Sequence, residues 1–300
     1  MKKFKKILLY DFSENKNLIE ELHNYTNEVE LITATDDYQD VLKKEDFNGV
    51  DCFVVNVFDN FHNSFFEKSE VKAVFTMFTD NSMFDLWLLE KLWIEIQNIT
   101  WQAAQWVCEY AISVLLNRIK KTVESQNFSK SWWTGFMNFK WTEIFWKQVW
   151  IVWYGSLGKH FSQIMKWFGA DVNYYSKSSQ TSNIEEIFSD SDIIFIACPL
   201  LSEKYTSNLL NTCKNNSIIL NPSRIELFEI SDLYDFLQNN KNCIFWQDES
   251  MTEEWTLWKD RFLELDNFIL TPHCWFFTEE NPWRVKELTL KNIKNYETKK

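Results

Sequence analysis

Short apolar runs rich in valine, isoleucine and phenylalanine alternate with helix-patterned segments along almost the whole chain. This alternation constrains the fold more than any other feature. In the first third, "KKILLYD", "VELITAT", "CFVVNVF", "VKAVFTMF" and "IEIQN" read as strands, with "NKNLIEELHNY", "DYQDVLKKE", "FHNSFFEKS" and "MFDLWLLEKL" as the helices between them. A long helical stretch follows over 102–125, and from Lys147 the alternation restarts with "KQVWIVWY", "DVNYYS", "DIIFIAC", "SIILNP", "CIFWQD" and "FILTPH" as strands. Repeated βα units predict an α/β chain of two parallel-sheet domains, a flavodoxin-like one and a Rossmann one, linked by long helices. The expected boundaries are 1–100, completed by 276–300, for the first domain and 101–275 for the second. The closing helix, from Glu279 to about Tyr296, is expected to return to the first domain.

Bulk composition narrows the function classes. The chain has 300 residues, 45% hydrophobic and 25% charged, with a net charge of -12. No apolar run reaches the roughly 18 residues a membrane span needs, and the apolar run in "MKKFKKILLYDF" is too short for a secretory signal. An acidic chain without a basic face argues against a nucleic-acid partner. The six cysteines form no C-x-x-C pair and sit in apolar contexts. Reduced thiols in a cytoplasmic protein are therefore expected, and no metal is called for.

The stretch "QVWIVWYGSLGKH" holds the first chemical signal. Gly155 and Gly158 stand at the second and third glycine positions of a dinucleotide-binding turn, after a strand and before a helix. Trp153 stands at the first, where Cβ is obstructive. The 16 tryptophans and 5 glycines of the chain together equal the roughly 21 glycines of an ordinary protein of this length.

Read with glycine for tryptophan, "WTEIFWKQVWIVWYGSLGKHFSQIMKWFGADV" resembles the cofactor segment of the D-specific 2-hydroxyacid dehydrogenases, with Trp146, Trp150 and Trp153 on family glycine positions. The resemblance extends to "LWIEIQNI" with Trp93, to "VCEYA" with Glu109, and to "TPHCW" with Trp275. Random drift would scatter serine, alanine and asparagine among such positions. UGA codons that mean glycine, translated as tryptophan, account for the pattern by one cause; the other reading is a pseudoenzyme whose loop has filled with indole.

What the resemblance implies is a hydride transfer between a nicotinamide cofactor and a D-2-hydroxy acid or 2-oxo acid. "NPSRIELFEISDLYDFL" resembles the family's arginine motif and assigns Arg224 to clamp the substrate carboxylate. Asp248 and Glu253 follow Arg224 at spacings of 24 and 29 residues, as the family's cofactor-side aspartate and catalytic glutamate do, and "LTPHCW" supplies His273 as acid/base. Glu253 is expected to orient the His273 ring. Trp153, Gly155, Ser156, Leu157, Gly158, Ser176, Lys177, Cys198, Pro199, Pro222, Ser223 and Asp248 are the implied cofactor-binding positions. Ser176 stands where NAD-dependent relatives carry an acidic residue, and Lys177 follows it, which favours NADP over NAD. Three departures bear on the substrate: Ile225 replaces a family glycine, Asp80 replaces another in the loop over 76–85, and no proline follows Glu253. A homodimer formed through the cofactor domains is implied, with the 102–125 helix serving that contact or packing between the domains. The alternative function is a catalytically inactive NAD(P) sensor or regulatory interaction protein of the same fold.

Overall fold

The computed structural model describes residues 3–11, 16–33, 47–56, 63–79, 81, 83–99, 103–131, 135, 137–175, 183–199, 204–248 and 252–298. The chain divides into two compact units, Met1–Gln102 with Phe277–Lys300, and Ala103–Phe276. The helix expected at "DYQDVLKKE" lies outside the described residues.

In the first unit, β1 (Phe4–Asp11), α1 (Lys16–Leu22), β2 (Thr26–Thr33), β3 (Val50–Asn56), α2 (Asn63–Lys68), β4 (Ala73–Thr76), α3 (Leu86–Lys91) and β5 (Glu95–Gln97) follow one another. The strands form one parallel sheet in the order β2-β1-β3-β4-β5, the flavodoxin-like arrangement. Leu8, Tyr10, Phe53, Val55 and Val74 pack with Phe65 and Phe66 of α2 on one face.

The second unit opens with α4 (Ala103–Lys120) and α5 (Thr122–Lys130). These replace the single helix expected over 102–125: Lys121 adopts a left-handed φ of 53°, which ends the i→i−4 ladder and restarts it. Cys108, Ala111, Ile112, Leu115 and Ile119 of α4 recur at helical spacing and pack with Val149, Ile151 and Phe161 of the same unit. Then come β6 (Gln148–Val152), α6 (Ser156–Trp167), β7 (Asp171–Tyr175), α7 (Ile184–Asp190), β8 (Ile193–Ile196), α8 (Ser207–Leu210), β9 (Ile218–Asn221), α9 (Ile230–Asn239), β10 (Ile244–Asp248), α10 (Glu253–Leu263) and β11 (Phe268–Thr271). Every described pairing in this six-stranded sheet is parallel, in the order β11-β10-β9-β8-β6-β7. The strand order reverses between β6 and β8, the point of such a sheet where ligands bind at the carboxyl edge. The last helix, α11 (Asn281–Thr298), belongs to the first unit, where the Tyr296 ring stacks on Phe4 at 5.7 Å and Asn292 donates to the Asn98 carbonyl at 3.0 Å.

Two helix ends share one hydrogen-bond pattern. After α6, Gly169 has φ 75°, its N–H bonds the Lys166 carbonyl, and the Ala170 N–H bonds the Met165 carbonyl. After α3, Trp93 has φ 58°, its N–H bonds the Glu90 carbonyl, and the Ile94 N–H bonds the Leu89 carbonyl. Both are Schellman ends, whose left-handed residue is ordinarily glycine. Among the described residues the non-glycine positions with positive φ are Trp93, Lys121, Trp146, Trp153 and His273. Trp146 is the third residue of a turn closed by Lys147 N–H to Ile144 C=O, with φ 61°, another position that favours glycine.

Candidate functional site

Those sequence-implicated residues of the second unit that are described gather at the carboxyl edge of its sheet. Directly after β6, Trp153 takes φ 79° and its N–H bonds the Tyr175 carbonyl at 2.8 Å, so the chain turns sharply out of the strand. Gly155 then caps α6 without contributing a side-chain acceptor. The first-turn amides of Ser156, Leu157 and Gly158 thus begin a helix whose N-terminus suits an anion. Gly158 is required by packing: a Cβ there would lie 2.5 Å from the Trp153 carbonyl oxygen and 2.8 Å from Ile151. The backbone therefore fits a dinucleotide's phosphates. The one element out of keeping with that use is the Trp153 side chain, half-buried against the core and bordering the Gly155 turn.

Across the reversal point, Cys198 and Pro199 follow β8, and the Cys198 thiol lies 3.8 Å from the Tyr205 hydroxyl. Burial first, then the nearby thiol, pushes the Tyr205 phenol well up. Ser223 donates its hydroxyl to the Ile196 carbonyl at 3.1 Å, fixing the Pro222–Ser223 corner beside the end of β8. Arg224 comes next, exposed, with its carbonyl accepting from Asn221 Nδ2 at 3.2 Å. Asn221 also donates to Gln247 at 2.7 Å, and Gln247 donates to the Ser223 carbonyl at 2.9 Å. This buried amide pair locks the ends of β9 and β10, which carry Arg224 and Asp248. Ile225 is fully buried in the core, so the position after the arginine anchors the turn here and needs no glycine.

His273 follows β11, neighbour to β10. The register sets Asp248 opposite Thr271, two residues before the histidine. Asp248 is 2% exposed; its Oδ1 accepts from the Thr271 hydroxyl at 2.6 Å and its Oδ2 lies 3.0 Å from His273 Nδ1. Trp246 Nε1 donates to the same Thr271 oxygen at 2.9 Å. The Asp248 carboxylate is thus one of the imidazole's neighbours. Glu253 opens α10, and its side chain lies outside the description, as do Ser176, Lys177 and Asp80. Glu109 is exposed and accepts from Gln105 at 2.8 Å. Sequence reasoning passed over its neighbour Tyr110, whose hydroxyl accepts from Cys274 Sγ at 3.1 Å; both residues lay inside quoted motifs, "VCEYA" and "TPHCW".

Arg224 and His273 thus follow β9 and β11, Asp248 ends β10 between them, and the glycine turn opens from the same edge of that sheet. Residues 112–274 match the family described as D-isomer specific 2-hydroxyacid dehydrogenase, NAD binding domain. The chain belongs to that family. It is 25% identical over 248 residues to a D-lactate dehydrogenase of Escherichia coli (strain K12), covering 71% of this chain and 72% of that protein. A glyoxylate reductase of Thermococcus litoralis is 25% identical over 272 residues, 81% of this chain and 80% of its own. Among solved structures, an acyclic imino acid reductase in complex with NADPH and D-Arg superposes with a TM-score of 0.83 at 20% identity, over 98% of each chain. The apo-structure of D-lactate dehydrogenase from Escherichia coli gives 0.77 at 19% identity, again over 98% of each. As a 2-hydroxyacid dehydrogenase, the chain is an oxidoreductase, and the inactive sensor is not favoured.

Proposed function

We propose that the protein reduces a small 2-oxo acid to the D-2-hydroxy acid with NADPH, accepting NADH less well, and that glycine occupies position 153 in the cell. The observation that carries the reading is the convergence of Arg224, Asp248 and His273 on neighbouring strand ends, with the His273–Asp248 pair at 3.0 Å. Bound at the Gly155–Gly158 turn, the nicotinamide cofactor supplies the hydride. Arg224, always charged and forked, holds the substrate carboxylate and polarises the adjacent carbonyl. His273 delivers the proton that the reduced oxygen takes up. Asp248 keeps the proton of the neutral ring on Nδ1, and Glu253 is assigned to the same histidine. Cys198, Pro199, Pro222 and Ser223 would hold the cofactor on its other flank, and Ser176 with Lys177 would receive the 2′-phosphate.

The glycine reading is supported by conformation as well as by family position. Trp93, Trp146 and Trp153 are all left-handed, whereas bulky residues adopt that region only rarely. Trp106, Trp255 and Trp275 bury an indole N–H with no hydrogen-bond partner among the described residues, although a buried indole normally finds one. UGA codons at these positions in the gene are the expected finding; UGG at 153 would overturn the reading. Free thiols at all six cysteines fit a reducing, cytoplasmic setting. Exposed Met137 and Phe145 of the second unit support a homodimer formed through that unit.

Protein made with glycine at 153 is expected to oxidise NADPH, followed at 340 nm, with at least one of a panel of 2-oxo acids that includes pyruvate, glyoxylate and hydroxypyruvate. His273→Asn is expected to lower kcat by about 10²- to 10⁴-fold, and Arg224→Lys to raise the KM for the oxo acid. Cofactor binding without turnover across the panel would return the sensor to favour.

A further inference from the structure

We propose that Tyr110 and Cys274 are positioning residues that hold the His273 loop in its paired orientation, a proposal that rests on the reading of His273 as proton donor. His273 has φ 52°, and its side chain is half-exposed. A left-handed histidine next to solvent persists only where its surroundings over-determine it. One restraint acts on the ring itself, the Asp248 carboxylate at 3.0 Å from Nδ1. The second acts on the next residue: Cys274 Sγ donates to the Tyr110 hydroxyl at 3.1 Å across 164 residues of sequence. Tyr110 is well placed as an anchor, because α4 is packed into the second core through Cys108, Ala111 and Leu115. Its ring lies 6.3 Å from that of Trp246 on β10. Burial, then the Cys274 thiol and the Asp248 charge, push the phenol up to about 12, with the Thr271 hydroxyl acting in the opposite direction. The phenol therefore stays protonated at neutral pH, and its neutral oxygen accepts from the thiol. The tie secures the turn that leads out of β11, so the imidazole meets Asp248 without searching other rotamers.

The test reads His273 directly. The chain has four histidines, so ¹⁵N-histidine labelling of the full-length protein, with His273→Asn for assignment, isolates one ring. At a pH where that ring is neutral, the unmodified protein is expected to carry the proton on Nδ1. Tyr110→Phe and Cys274→Ala are each expected to move the ring towards the Nε2–H tautomer, whereas Cys274→Ser, which keeps a donor, preserves it. In turnover the first two lower kcat by about ten-fold, the equivalent of one hydrogen bond, with the cofactor KM unchanged. An unchanged tautomer in both variants overturns the proposal, as does a serine variant that behaves like the alanine one. Tautomer shifts in a protein with no turnover would support the positioning role while removing the catalytic one.

Discussion

The ends of α3 and α6 are the same structure built on opposite residues. Both close with paired hydrogen bonds on a left-handed residue; α6 uses Gly169 and α3 uses Trp93. Around Gly169 the space is filled as well, since a Cβ would lie 2.2 Å from the Phe145 ring. Trp93 is 91% exposed, so only its backbone is out of place. The pair separates two reasons for glycine, conformation alone at one end and conformation plus packing at the other. At position 153 a third reason joins them, because a ligand must approach the backbone.

That ladder of reasons orders the tests, starting from protein carrying tryptophan as written. Trp153→Gly is expected to tighten NADPH binding by about 10²-fold, the scale of a 1 Å misplacement in a site, read by fluorescence titration; equal affinity for the two proteins would break the comparison at its functional rung. Gly169→Ala is expected to cost about 2–3 kcal/mol in urea unfolding, combining left-handed strain with overpacking against Phe145. Trp93→Gly and Trp146→Gly are each expected to stabilise the fold by about 1 kcal/mol, because only backbone strain is relieved. A loss of stability at Trp93 would show that the indole is wanted there. Trp87 lies inside α3, 69% exposed and with ordinary helical backbone, so Trp87→Gly is expected to destabilise by less than about 1 kcal/mol. This opposite sign separates backbone demand from the mere replacement of an exposed indole.

Much of this architecture was legible in the chain because parallel α/β folds advertise themselves locally. The strand, turn and helix around Gly155 and Gly158 could be read from thirteen consecutive residues, and Arg224 and His273 could be placed at strand ends from their own neighbours. The pairing of His273 with Asp248 was not legible, since it depends on β10 lying beside β11 with Asp248 opposite Thr271. Glutamate 29 residues after the arginine and aspartate 24 after it look alike in one dimension. The break between α4 and α5 was equally hidden: Lys121 carries neither the missing Cβ of glycine nor the ring of proline to announce a left-handed residue. The Tyr110–Cys274 bond joins two motifs read separately, and only the fold brings them together.

The stacking of Tyr296 on Phe4 has a consequence for how the molecule is made. A ribosome delivers β1 well before its partner α11, so the first sheet must wait, with one flank uncovered, while the whole second unit emerges and folds. The unit begun before the second is therefore completed only after it. Nascent chains arrested before position 281 should shelter β1 with a chaperone, and emergence of the eighteen-residue α11 should be the event that frees it.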